Sequence, residues 1–202
     1  MGKRGPRPCF DRDEALQRAL EVFQNFGYEG ATMARLKEAM GGLCAPSVYA
    51  AFGSKEAMFR EAVERYRREK QPLWGEGQPT AREAIATLLR NAAMLFSSPD
   101  GPRGCLVHLS NAYSSPGSEA VQEYLRSCRQ EDKERILQRI QRGVIEGDLD
   151  PQTDICALAS FVLTVLQGLS LQAVDGASQR CMLSTVDCAM AAWDALVGKG
   201  ER

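Results

Sequence analysis

One histidine, His108, stands in 202 residues, and the seven cysteines include no C-x-x-C pair. Without paired ligands at short spacing there is no zinc-binding pattern, so neither a metal nor a cofactor is expected. An odd number of unpaired cysteines (Cys9, Cys44, Cys105, Cys128, Cys156, Cys181 and Cys188) also excludes a disulfide framework and reads as reduced thiols. Alternating polar and apolar runs are missing, which argues against strands. No apolar run reads as long enough to cross a bilayer, and the N-terminal "MGKRGPRPCF" lacks the apolar stretch of a signal peptide. The expectation is a cytoplasmic protein with no membrane partner. Apolar material for a core is not lacking, because hydrophobic residues make up 44% of the chain and charged residues 25%. The net charge of −1 conceals an asymmetry: residues 1–70 carry 13 Lys and Arg against 10 Asp and Glu, whereas residues 71–202 carry 12 against 16. A basic head on an acidic body suggests that the head meets a polyanion.

What is present is helical spacing. Asp11 caps a first helix with Glu14 as its capping-box partner, and Leu16, Ala19, Leu20, Phe23 and Phe26 share one face up to Gly27. Thr32 opens a short second helix to Met40, with Met33, Leu36 and Met40 inward, and Gly41-Gly42 breaks it. A third short helix has Pro46 in its first turn and runs to Phe52. Gly53 closes it, and Ser54 caps a fourth with the stripe Phe59, Ala62, Val63, Tyr66. "QPLWGEGQP" marks a boundary between domains 1–70 and 71–202. Beyond it, Thr80 and Glu83 open a helix to Phe96, a charged helix spans 118–145, and two apolar helices cover about 153–174 and 179–197. The fold class is therefore all-α.

The second and third helices, joined by a tight glycine turn and held by the first, form a helix-turn-helix, an arrangement that lays one helix in the DNA major groove. Ala45, Ser47 and Ala50 give the third helix a slim outer face. Tyr49 and Lys55 flank it where a phenol and an ammonium reach phosphates, and Thr32 stands at a helix N-terminus that favours an anion. Lys3, Arg4 and Arg7 lie in a Gly/Pro-rich basic arm, residues 1–10, that either follows a minor groove or is a solvated tail.

With these residues in place, "GATMARLKEAMGGLCAPSVYAAFGSKEAMF" resembles the DNA-binding domain of the TetR/AcrR family of bacterial transcriptional regulators. The resemblance covers Phe10 to about Tyr66. It implies DNA-facing positions at Thr32, Arg35, Ser47, Tyr49 and Lys55, with Cys44, Ala45 and Pro46 in the recognition turn. It also implies a helical C-terminal effector and dimerisation domain and a double-stranded operator as partner. Gly41-Gly42 replaces the single glycine of many members, and Ala50-Ala51 replaces a frequent His-Tyr, so no relative's operator sequence carries over.

In the C-terminal part, Trp74, Met94, Phe96, Cys105, His108, Tyr113, Tyr124, Cys128 and Phe161 are candidate walls of a pocket for a small-molecule or electrophile effector. Cys105 follows a flexible "DGPRG" loop near Arg103 and begins a segment of helical spacing that it shares with His108. A thiol sensor and a small core residue are both open readings of it. The last helices read as too apolar for a monomer's surface. Leu166, Leu169, Leu183, Val186, Met190 and Trp193 are expected at a homodimer interface, and burial within the monomer is the competing reading. Two other classes compete with a regulator. An enzyme would use Cys105 with His108 but lacks an orienting third residue. A protein-binding helical adaptor leaves "SVYAAFGSKE" unexplained.

Overall fold

The computed structural model describes residues 11–75, 77–99, 101–110 and 117–197, and it holds no strand among them. The chain divides into two compact units, one ending at Arg68 and the other beginning at Glu69.

The first unit contains α1 (Arg12–Gly30), α2 (Met33–Ala39), α3 (Ala45–Phe52) and α4 (Lys55–Glu69). Asp11 caps α1 by accepting from the N–H groups of Asp13 at 2.8 Å and Glu14 at 3.3 Å. Glu14 departs from its expected role, since its carboxylate is turned to Arg18, 3.6 Å away. The helix also continues past its expected end. Gly27, at φ 63 and ψ −178, kinks it, and the chain resumes a turn to Gly30. That kink brings Tyr28 against Phe59 at 5.1 Å between ring centroids, with Phe23 edge-on to Phe59 at 4.9 Å. Phe26, expected on the inner face, is thereby left exposed. Leu16, Leu20 and Phe23 of α1, Leu36 of α2, Val48 and Phe52 of α3 and Met58, Phe59 and Val63 of α4 form one core.

The second unit begins with a 3-10 turn (Gln71–Trp74). It is built from α5 (Ala81–Phe96), the four-residue α6 (Leu106–Leu109), α7 (Glu119–Ile145), α8 (Ile155–Val174) and α9 (Gln179–Val197). Thr80 caps α5: its hydroxyl accepts from the Glu83 N–H at 3.1 Å and donates to the Glu83 carboxylate at 2.8 Å. The apolar stripe of α5 packs on α7, α8 and α9. Its outer edge is tied to α9 by a bidentate pair from Arg82 to Asp194 at 2.6 and 2.7 Å. Both partners are largely exposed, so packing rather than this pair holds the helices together.

Two expectations change here. Leu166, Leu169, Val186, Met190 and Trp193, expected between protomers, are each 5% exposed or less and form the core of the protomer itself, while Leu183 is half-buried. The apolarity of these helices is used first against α5 and α7. In addition, α8 is in fact long and apolar enough to cross a membrane by length and composition, with mean hydropathy 1.7. Ser160, Thr164, Gln167 and Ser170 interrupt its apolar run. In this protein it packs on α5, α7 and α9.

Candidate nucleic-acid interface

The geometry of the first unit follows from its turn. Gly41 and Gly42 sit consecutively at φ 79 and 80, a region that side chains with a Cβ rarely adopt. Their N–H groups close on the carbonyls of Glu38 and Lys37 at 3.0 and 2.9 Å, which ends α2 and redirects the chain within two residues. The doubled glycine noticed in the sequence is therefore the turn itself. Cys44 then occupies the N-cap of α3, its Sγ 3.1 Å from the Ser47 hydroxyl.

On α3, Val48 and Phe52 point into the core, and this fixes which side faces out. Pro46, Tyr49 and Ala50, spaced three and four residues from the first, are exposed along the outer side, with Cys44 exposed just before them and Ala45 and Ser47 half-buried. Tyr49 is the one large side chain on that side, at 47% exposure. The rest is alanine, proline and serine, which lets a backbone approach base edges closely.

Thr32 caps α2 by accepting from the Arg35 N–H at 3.3 Å. Arg35 lies 4.4 Å over the Phe26 ring and donates to the Gly30 carbonyl at 2.8 Å. The exposed Phe26 ring is the platform for this guanidinium. Lys55, expected to stand on a phosphate, instead lies over the Tyr28 ring at 4.2 Å, and burial lowers its pKa against the opposing pull of Glu29. Reaching DNA would cost that contact, about 0.5–1 kcal/mol. Lys3, Arg4 and Arg7 lie outside the described residues.

Sequence reading missed Arg12. Its Nη2 grips both carboxylate oxygens of Glu61 at 2.8 and 2.9 Å, its Nε donates to the Ala51 carbonyl at 3.2 Å, and its guanidinium covers the Phe52 ring at 4.6 Å. One side chain thus clamps the end of α3 to α1 and α4. Nothing in its local sequence signals this, since the partners lie 39 and 49 residues away. Arg12→Ala is expected to cost about 1 kcal/mol in urea denaturation, because the pair is half-exposed. Operator affinity should fall about tenfold in a gel-shift titration, because a loosened α3 pays its ordering when it binds.

In the second unit the expected pocket residues lie on several elements. Cys105 is buried, directly precedes the four-residue α6, and donates its N–H to the Ser170 hydroxyl at 2.8 Å. Cys128 is buried on α7, and Arg129, next to it, donates to the Val107 carbonyl at 3.0 Å and lies within electrostatic reach of both thiols. Tyr124 is half-buried one turn earlier on α7, and Phe161 is half-buried on α8. Phe96 is core, Met94 is exposed and Trp74 belongs to a separate cleft. Tyr113 lies outside the described residues. No cluster of metal-binding side chains occurs among the described residues.

The His108 side chain is 4% exposed, with neither ring nitrogen hydrogen-bonded among the described residues. Burial pushes its pKa down to about 4; Asp132, 3.9 Å away, opposes the shift and Arg129 adds to it. The unfolded chain therefore binds a proton near pH 6.5 that the folded one refuses until about pH 4. Stability should fall by about 3 kcal/mol as pH drops through that window. Urea midpoints between pH 4 and 7 would show the slope in the natural chain and its loss in His108→Leu.

A slim, exposed helix held by a glycine turn and clamped to a three-helix core is the DNA-reading part of a helix-turn-helix regulator. The family model of bacterial regulatory proteins, tetR family, matches residues 15–62, the stretch just described. The Escherichia coli (strain K12) HTH-type transcriptional repressor ComR is 34% identical over 201 residues, covering 96% of this chain and 94% of ComR. A cysteine mutant of the TetR family regulator CifR, solved with a 26-base-pair double-strand operator, superposes with a TM-score of 0.89 at 45% identity, covering 94% of this chain and all of that one. A regulator from Chloroflexus aurantiacus shares the fold at a TM-score of 0.80 and 19% identity, over 92% and 95% of the two chains. The chain belongs to the TetR family and is a DNA-binding transcriptional regulator.

Proposed function

We propose that the protein is a repressor that binds a palindromic operator as a homodimer and is released by a small effector or by modification of Cys105. The observation that carries this reading is the similarity to operator-bound CifR across 94% of the chain. Thr32, Arg35, Tyr49 and the small outer face of α3 supply the DNA contacts, with Lys55 recruited from its ring and Lys3, Arg4 and Arg7 reaching along the backbone. Such a protein works in the cytoplasm, where its operator is.

The dimer surface is the outer side of the last two helices. Ala157, Thr164, Gly168 and Leu171 on α8, with half-buried Phe161 among them, form one stripe. Cys181, Ser184, Cys188, Ala191 and Ala195 on α9 form another, and all nine besides Phe161 are exposed. No charge interrupts either stripe, and the aspartates of α9 beside it are paired with Arg82 and Arg90 of α5 on the helix flank. Uncharged helix faces of this length suit a four-helix contact between two copies. Ala191→Arg should then give monomers by light scattering and weaken operator binding, and an unchanged dimer would place the interface elsewhere. For the thiol, in a background with Cys9, Cys44, Cys156, Cys181 and Cys188 replaced by serine, because the last four are exposed, N-ethylmaleimide should release the operator, and adding Cys105→Ser should abolish that release. A response retained by Cys105→Ser would exclude that residue as the sensor.

A further inference from the structure

The second unit holds a cleft of about 320 Å³ between the 3-10 turn, α5 and α7 that none of the roles above uses. Three arginines of α7, Arg135, Arg139 and Arg142, line one wall, and no Asp or Glu lines it among the described residues. Ile85 and Leu88 of α5 and the Trp74 ring supply apolar surface opposite. Spacings of four and three residues put the three guanidinium groups on one side of a single helix.

The arginines differ in how they are held. Arg135 is stacked 4.3 Å over Trp74 and donates to the Gln71 side chain at 2.6 Å. Arg142 donates to the Glu146 carboxylate at 2.8 Å on the outer surface. Arg139 donates to the Gln78 carbonyl at 3.2 Å through Nη2, while its Nη1 is shielded from solvent with no hydrogen-bond partner among the described residues. A buried guanidinium N–H left without an acceptor is costly, and an oxygen of an entering anion would satisfy it. The size lies at the low end of ligand pockets and fits a compact ligand.

We infer that this cleft binds an organic anion, its carboxylate on Arg139 and its apolar body against Trp74, Ile85 and Leu88. That the anion acts as the effector rests on the repressor reading above; the binding itself does not.

The test uses the full chain without DNA. Sodium benzoate, its neutral isostere benzamide and inorganic phosphate are titrated by calorimetry and by tryptophan emission; the second tryptophan, Trp193, lies in the core. Benzoate should bind saturably, with benzamide at least about tenfold weaker because it lacks the charge, and phosphate weaker than benzoate because it leaves the apolar wall uncovered. Arg139→Gln should lose about tenfold in benzoate affinity, and Arg139→Lys should retain part of it. Equal binding of benzamide and benzoate in the natural chain would overturn the assignment whether or not the variants fold, as would absence of saturable benzoate binding. Were Glu76, which lies outside the described residues, to fill the site itself, only Glu76→Gln would bind benzoate and the inference would fail for the natural chain. Benzoate should also weaken operator affinity; binding without that effect would overturn the effector role. Failure to bind any operator in the absence of benzoate would count against the repressor reading instead.

Discussion

Ala50→Glu should abolish operator binding while leaving the protein folded. Ala50 is exposed on the outer side of α3, in the helix's second half, with Val48 and Phe52 turned the other way into the core. A glutamate there costs a few tenths of a kcal/mol in folding, from a minor loss of helix propensity and an unfavourable charge near the helix C-terminus. Against DNA the same carboxylate faces base-edge acceptors and flanking phosphates, a like-charge juxtaposition worth several kcal/mol, so affinity should drop by at least about 100-fold. Gel-shift titration read beside a thermal melt separates the two effects. A small loss in affinity with an unchanged melt would mean that this side of α3 does not meet the groove.

Phe59→Ala should unfold the DNA-reading unit and leave the rest of the chain helical. Phe59 is fully buried and is the ring on which both Phe23 and Tyr28 pack. Truncating a buried phenylalanine costs about 3–5 kcal/mol, and losing two edge-to-face partners places this case at the upper end. A unit ending at Arg68 has little stability to spare. Hydrogen exchange should show protection lost across α1 to α4 and kept in α5, α8 and α9, together with loss of operator binding. Protection retained in α1 would show that the three rings are not the keystone of that core.

The two outcomes bear on different parts of what was legible beforehand. The helices were visible because their apolar spacing and caps are local: Asp11, Thr32 and Thr80 each cap the helix that their sequence context announces. The outer side of α3 was legible only in part: Ala50 is exposed, whereas Ala45 and Ser47, read on the same face, are half-buried and Pro46 is exposed instead, because Val48 and Phe52 set which side turns inward. Contacts made across the fold were not legible. Arg12 looks like any first-turn arginine until Glu61 and Ala51 arrive from 49 and 39 residues away. Lys55 reads as a free cation because nothing local reveals that the kink at Gly27 brings the Tyr28 ring beneath it. The last two helices misled for a related reason. Period marks an apolar stripe but not which neighbour covers it, so core residues such as Trp193 and Val186 were placed at the interface. The small uncharged stripe through Cys188 and Ala191, which carries little hydrophobic signal, was overlooked. For Cys105 local sequence left a thiol sensor and a small core residue both open, because the contact that holds its backbone, Ser170 of α8, comes from 65 residues away and buries the thiol.

The central claim is that the outer side of α3, presented twice by a dimer, reads the major groove of an operator. The most direct measurement is a footprint of the natural chain and of Ala50→Glu on the DNA upstream of its own and neighbouring genes. The expected result is two symmetric half-sites whose centres lie about one helical turn, or a multiple of about 10 base pairs, apart, protected by the natural chain and lost in Ala50→Glu. Protection of a single asymmetric site, or the same footprint from both proteins, would contradict it.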